Sequence, residues 1–327
     1  MLRRWAFYLL LFCAVFAAAG FAAFKLSPWP SVLLVRQNFD RDSSERNRAL
    51  EKHQPRGITR MTDIRYGEEA SSLLDVYVPE GSGSRPAIIW IHGGAFIAGN
   101  KHDLSGYLPI LAASNYTLVA VGYALAPGAK YPAPVLQANA AVAYVQANAG
   151  RFGVDSRRIY LAGDSAGAQI AAQLAAGVAD PAYAERVGFT PAIASEQLRG
   201  AILFCGVYDA AHMKIEGAFG GFLRTVLWSY FGKKDMTGDP RLEQFAVTGN
   251  VTSAFPPTFI SAGNADPLEP QSRALAGALA AKGVAVDALF FPSGYSPPLQ
   301  HEYQFSLDID AGRLALNRLE AFLSRTK

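Results

Sequence analysis

Cysteine is scarce: this chain of 327 residues has two, Cys13 and Cys205. Cys13 lies inside an N-terminal apolar run and Cys205 ends the strand-like run AILFC, so they do not read as a disulfide pair. Cys205 is expected to be a small buried apolar residue. The usual metal signatures are missing, with no H-E-x-x-H and no clustered Cys/His set, so neither metal nor cofactor is expected. No G-x-G-x-x-G follows a strand-like run. GGAFIAGNK, ending at Lys101, approaches a phosphate loop, but Asn100 stands where lysine is needed and a histidine follows Lys101. Unbalanced charge is also lacking. The formal net charge is +3, and Arg3, Arg4 and Lys25 account for all of it. A neutral body gives no electrostatic case for binding nucleic acid. No internal repeat is visible.

Apolar residues make up 50% of the chain, enough for one large α/β domain or two small ones. The longest apolar run, Ala6 to Phe24, follows Arg3 and Arg4. A cleaved signal usually has a core of roughly 7–15 apolar residues, and a spanning helix needs about 20. Residues 1–26 are therefore expected to be a retained membrane anchor. Ala17, Ala19, Ala22 and Ala23 leave room for cleavage as a signal peptide. Either way the positive flank stays cytoplasmic and the body is exported. The location is then the cell envelope, or secreted or periplasmic after cleavage. Trp29 suits a membrane–water interface. Residues 27–60 are polar and charged, expected as a linker or as an arm over a site mouth, partly helical with Ser43 or Ser44 as N-cap.

From Met61 onward, strand-like and helix-like runs alternate. Strands are expected at Leu73–Pro79, Pro86–Gly94, Tyr116–Tyr123, Arg158–Gly163, Gly200–Gly206, Pro257–Gly263 and Val284–Pro292. Helices are expected at Pro134–Gly150, after Ser165, at Pro270–Lys282 and at Glu302–Ser324. Continuous apolar strands between helices predict a mostly parallel sheet covered on both faces, with its site at the carboxyl ends of the strands. Residues 61–327 form this domain, interrupted by an insertion at about 208–256. Phe219, Phe222, Leu223, Val226, Leu227, Tyr230 and Phe231 fall on one face of a helix there. That face packs on the core or roofs an apolar pocket.

GDSAG, Gly163 to Gly167, is G-x-S-x-G between a strand and a helix, the context that gives the pattern its meaning. The glycines allow close approach at a strained turn, and the following helix points its amino end at Ser165. A serine nucleophile needs a base, and the base needs an orienting acid, in the chain order Ser, Asp or Glu, His. His301 follows the last strand and Asp266 follows the strand before it. Asp209 with His212, at the start of the insertion, is the rival pair. In HGGAF, His92 to Phe96, adjacent glycines let main-chain N–H groups converge on an oxyanion, joined by the N–H of Ala166. His92 is expected to be a structural hydrogen-bonder.

Taken in order, HGGAF, YALAPGAKYPAP, GDSAGA, ADPL and HEYQF resemble the hormone-sensitive-lipase-like esterases of the α/β-hydrolase superfamily, from about residue 61 onward. The resemblance implies the α/β-hydrolase fold with a cap-like insertion, and hydrolysis of carboxylic esters without a cofactor. It assigns Ser165 as nucleophile, Asp266 as acid and His301 as base. The oxyanion donors would be Gly94, Ala95 and Ala166, with Gly93 shaping the turn. The sequence departs from the family's HGGG where Ala95 stands, and alanine cannot take every glycine conformation. Asp164 would brace the serine turn. The expected partner is a small-molecule ester with a short to medium apolar acyl group. An amidase or peptidase on the same scaffold, and a non-catalytic binding homologue, are the alternatives. The sequence is silent on oligomeric state.

Overall fold

The computed structural model describes residues 2–213 and 217–327. Helix α1 (Leu2–Leu26) is followed by α2 (Trp29–Ala49), then strands β1 (Ile58–Arg65), β2 (Leu73–Pro79) and β3 (Arg85–Ile91). Helix α3 (Leu108–Ala112), strand β4 (Thr117–Val121), helix α4 (Ala133–Ala147), strand β5 (Val154–Asp164) and helices α5 (Ala166–Ala179) and α6 (Pro181–Val187) come next. Strand β6 (Leu198–Phe204), helices α7 (Gly217–Phe231) and α8 (Arg241–Phe245), strand β7 (Thr258–Ala262), helix α9 (Glu269–Ala281), strand β8 (Val286–Phe290) and helix α10 (Asp310–Thr326) complete the chain.

The strands form one sheet in the order β1-β2-β4-β3-β5-β6-β7-β8. β2 runs antiparallel to β1 and β4, and the remaining pairings are parallel. This is the expected mostly parallel sheet between two helical layers. Period-two alternation sends side chains to two cores. Ile89 and Ile91 of β3 join the layer of α4, α5 and α9, while Ile88 and Trp90 join the layer of α3 and α10. Each large apolar side chain so buried contributes about 1.5–3 kcal/mol.

Several elements differ from expectation, among them the short helices α3 and α6, which were not expected. β1 is an additional edge strand, and the polar, partly exposed run ITRMTDIR gives little apolar signal for it. The final helix begins at Asp310, not Glu302, because the chain is first held in a short turn at Tyr303–Phe305. There Gln304 donates to the Ser261 carbonyl at 3.0 Å and Tyr303 pairs with the Ser261 hydroxyl at 2.7 Å. Helix α2 starts at Trp29 with Pro30 in its first turn, a place where proline is tolerated. Ser43 and Ser44 lie inside it, both donating back to the Asp40 carbonyl rather than capping a helix start.

Helix α1 is solvent-facing, and Arg4–Leu26 is long and apolar enough to cross a membrane by length and composition. Helix α2 lies against the body. Arg36 donates to the carbonyls of Ile97 (2.7 Å) and Ala126 (3.1 Å). Near its other end Asn47 donates to the His102 carbonyl (3.0 Å) and accepts from the Gly106 N–H (2.9 Å).

Candidate active site

The sheet's register brings the tips of β3, β5 and β6 together, pairing Ile91 with Gly163 and Asp164 with Phe204. Beyond β5 the chain turns at once into α5, and Ser165 occupies that corner at φ 52° and ψ −118°. A non-glycine residue at positive φ persists only where its surroundings enforce it. Here the enforcing contact is close packing of the turn on the sheet. A Cβ on Gly163 would lie 2.4 Å from the Gly167 backbone, and one on Gly167 would lie 2.0 Å from the Ile91 carbonyl oxygen. Both glycines of GDSAG are therefore steric requirements.

Ser165 Oγ stands 3.0 Å from His301 Nε2, and His301 Nδ1 stands 2.9 Å from Asp266 Oδ2. The other carboxylate oxygen of Asp266 accepts the Leu268 N–H at 2.8 Å, which fixes its orientation. Asp266 is buried, whereas the His301 side chain is 34% exposed. Burial pushes the imidazole pKa down. The hydrogen bond to Asp266 and the charges of Glu302 and Asp266 outweigh it and hold the imidazole up at about 9. The His212 side chain lies outside the described residues.

The HGGA turn closes over the same point. Gly94 sits at φ 104°, where a Cβ would collide with the Ala98 carbonyl at 2.1 Å. Ala95 takes φ 53°, a left-handed conformation that costs an alanine roughly 1–2 kcal/mol. The substitution in HGGG is thus accommodated with strain. The turn's own bonds run from Ile97 and Ala98 to the Gly94 carbonyl and leave the N–H groups of Gly94 and Ala95 outside them. Gly93 differs, since its N–H is donated to Asp164 Oδ2 at 2.9 Å. Its place is in shaping the turn. His92 is buried, stacks on Tyr123 at 4.2 Å and donates through Nδ1 to the Gly93 carbonyl at 2.7 Å. Tyr123 in turn donates to the His92 carbonyl at 2.8 Å.

Gly94, Ala95, Ser165, Ala166 and His301 line one cavity of about 420 Å³. Its far walls are apolar. Phe219, Phe222 and Val226 of α7 line it, while Tyr230 of the same helix turns away to stack on Phe96 at 4.0 Å. The two readings of that amphipathic face divide along its length. Val35, Phe39, Asp42 and Arg46 of α2 also line the cavity.

Sequence reasoning missed several residues of this site. Glu302, next to His301, stands at φ 60° and pairs with Arg46. Adjacency to His301 was the signal for Glu302, and nothing in the sequence signalled Arg46. Trp90 donates to Asp164 Oδ1 at 2.8 Å. Cys205 is buried as expected, yet it also accepts the Glu302 N–H at 3.3 Å and donates to Gln304 at 3.3 Å.

Cys205, Asp266 and His301 offer donor atoms within 4.8 Å of one another. All three are already engaged in the bonds above. Burial also holds the Cys205 thiol well above its usual range, which opposes the thiolate a metal requires. The set is a hydroxyl hydrogen-bonded to an oriented imidazole, lining one cavity together with Gly94, Ala95 and Ala166.

Residues 88–295 match the model of a protein family described as alpha/beta hydrolase fold. Esterase LipC of Mycobacterium tuberculosis is 33% identical over 124 residues, which cover 37% of this chain and 30% of that protein. Esterase B of Lactobacillus rhamnosis superposes with a TM-score of 0.76 at 22% identity, over 91% of this chain and 96% of that one. An esterase of Pyrobaculum calidifontis superposes with a TM-score of 0.72 at 23% identity, over 90% and 93%. At these identities the superpositions establish the fold.

Proposed function

The chain belongs to the α/β-hydrolase family, on its hormone-sensitive-lipase-like branch, and from that premise we propose that it is a serine esterase acting on carboxylic esters with short to medium apolar acyl groups. The observation that carries the proposal is the unbroken line Ser165 Oγ, His301, Asp266, at 3.0 and 2.9 Å, opening on an apolar cavity. The esterase names of the relatives support the same reading.

His301 takes the proton from Ser165 as the oxygen attacks the ester carbonyl. The N–H groups of Gly94, Ala95 and Ala166 receive the oxyanion, helped by the amino end of α5. The tetrahedral intermediate collapses to an acyl-enzyme, and His301 returns the proton to the departing alcohol. Water, deprotonated by the same imidazole, then releases the acid and restores the hydroxyl. The apolar walls from α2 and α7 receive the acyl chain.

A pH-resolved series of p-nitrophenyl esters tests this. The base acts only when neutral, and its imidazole is held up at about 9. Activity therefore rises with pH through that value, and kcat/KM at pH 9 exceeds that at pH 7 by roughly tenfold or more. Butyrate and hexanoate esters are expected to outperform palmitate. Failure to turn over any ester would end the proposal.

We also propose that α1 is a retained anchor, with Arg3 and Arg4 on the cytoplasmic side and the catalytic body in the cell envelope. Alkaline carbonate extraction should leave the full chain in the membrane pellet. A soluble mature form lacking residues 1–26 would instead identify a cleaved signal.

A further inference from the structure

Arg46 belongs to α2, outside the family-matched region, yet its guanidinium reaches the catalytic centre. It pairs through Nη1 with Glu302 Oε2, and it lies 5.2 Å from the centre of the Phe305 ring. The Arg46 side chain is 19% exposed and that of Glu302 9%. Glu302 Oε1 is 3.8 Å from His301 Nε2, the nitrogen that faces Ser165. Glu302 is also hydrogen-bonded to Asp164. Asp164 grips the HGGA turn through the Gly93 N–H and is anchored by Trp90. One polar chain thus runs from α2 through Glu302 to the base, and through Asp164 to the turn that carries the oxyanion donors. Glu302 occupies the left-handed region, a conformation rare for glutamate that places its carboxylate between these partners.

Taking the catalytic roles of Ser165 and His301 as given above, we propose that Arg46 is a positioning residue of the active site, balancing the charge of the Glu302–Asp164 carboxyl pair and so tying α2 to the catalytic base. Two carboxyl groups in contact cannot both ionise away from water. Burial, together with the negative Glu302, holds Asp164 well above the usual carboxylate range. Burial also presses Glu302 upward, but Arg46 and His301 overcome it and keep Glu302 below its usual range. A proton shared by the pair therefore favours Asp164, and the negative charge favours Glu302, where it faces the Arg46 guanidinium. Removing the guanidinium leaves an uncompensated negative charge beside His301. The imidazolium becomes more stable, and the base gives up its proton only at higher pH. The charged and titratable groups facing His301 are Asp266 beyond β7, Glu302 on its own loop, Asp164 at the tip of β5 and Cys205 beyond β6; Arg46 on α2 reaches it through Glu302.

The test uses the full-length protein in detergent, with p-nitrophenyl butyrate from about pH 6 to pH 10. Arg46→Gln is expected to raise the apparent pKa of the base by about one unit. At pH 7 its kcat should fall roughly tenfold, KM should change less, and the deficit should narrow at alkaline pH. Arg46→Lys, which keeps the charge, should restore most of the wild-type profile. Glu302→Gln should shift the profile the opposite way, and the double variant should return towards wild type. If Arg46→Gln does not fold, Glu302→Gln alone decides, and an unmoved profile there overturns the proposal. A folded Arg46→Gln protein with a wild-type pH profile overturns it too, leaving Arg46 as a cavity wall. Fluorophosphonate labelling of the wild type at Ser165 keeps the two levels apart. Without labelling the serine-esterase reading fails, whereas labelling with an unmoved profile removes only the role of Arg46.

Discussion

Ser165→Ala is expected to abolish ester hydrolysis while leaving the fold intact. In a serine hydrolase studied by the same substitution, loss of the nucleophile lowers kcat by roughly 10⁶-fold, and binding and oxyanion contacts alone supply the remainder. A loss of at least about 10⁴ in kcat is therefore anticipated here, read from p-nitrophenyl butyrate turnover and from the disappearance of fluorophosphonate labelling. Stability should barely change. Alanine keeps the Cβ, so the strained backbone at φ 52° meets the same enclosure by Gly163, Gly167 and Ile91. The lost atom is a hydroxyl whose partner, the imidazole of His301, is 34% exposed and able to turn to water. Melting temperature should stay within a few degrees, which separates loss of chemistry from loss of structure. Turnover at the wild-type rate in a pure Ser165→Ala sample would remove the serine from the mechanism.

Much of this site was legible in the sequence because its parts obey local rules. A parallel strand buried on both faces must be apolar throughout, as PAIIWI and IYLAG are. A serine between glycines at the end of such a strand fits only a tight turn into a helix, and backbone atoms stand where a Cβ on either glycine would go. Asp266 and His301 were legible because parallel topology delivers successive strand ends to one edge of the sheet. Other features depended on distance across the fold. The edge strand β1 pairs with one neighbour and stays partly exposed, so its alternation is weak. The turn at Tyr303–Phe305 exists because Ser261, some forty residues earlier in the chain, bonds Tyr303 and Gln304. Arg46 carried no local signal at all. Its partner lies 256 positions away, and an arginine in a charged helix reads as a solvated one until the partner is seen.

Asp266→Asn should cost about 10⁴-fold in kcat, the size of effect found when the corresponding acid of a serine protease is made neutral. The geometry here gives the reason. Oδ1 of Asp266 must remain an acceptor, because the Leu268 N–H points at it from 2.8 Å in a buried setting. An asparagine at this position therefore keeps its carbonyl oxygen on Leu268 and turns its NH₂ towards His301 Nδ1. That nitrogen must then present a lone pair, and the imidazole carries its proton on Nε2, facing Ser165. The base now offers a hydrogen where it should accept one. The pH dependence distinguishes this wrong tautomer from a mere change in protonation. Loss of the Asp266 hydrogen bond removes the main influence that raises the imidazole pKa, so a larger share of His301 is neutral at pH 7 while turnover collapses. The deficit should persist at pH 9 and above, unlike that of Arg46→Gln. An Asp266→Asn enzyme that recovers most of its activity at alkaline pH would show that the acid tunes proton affinity alone and does not set which nitrogen bears the proton.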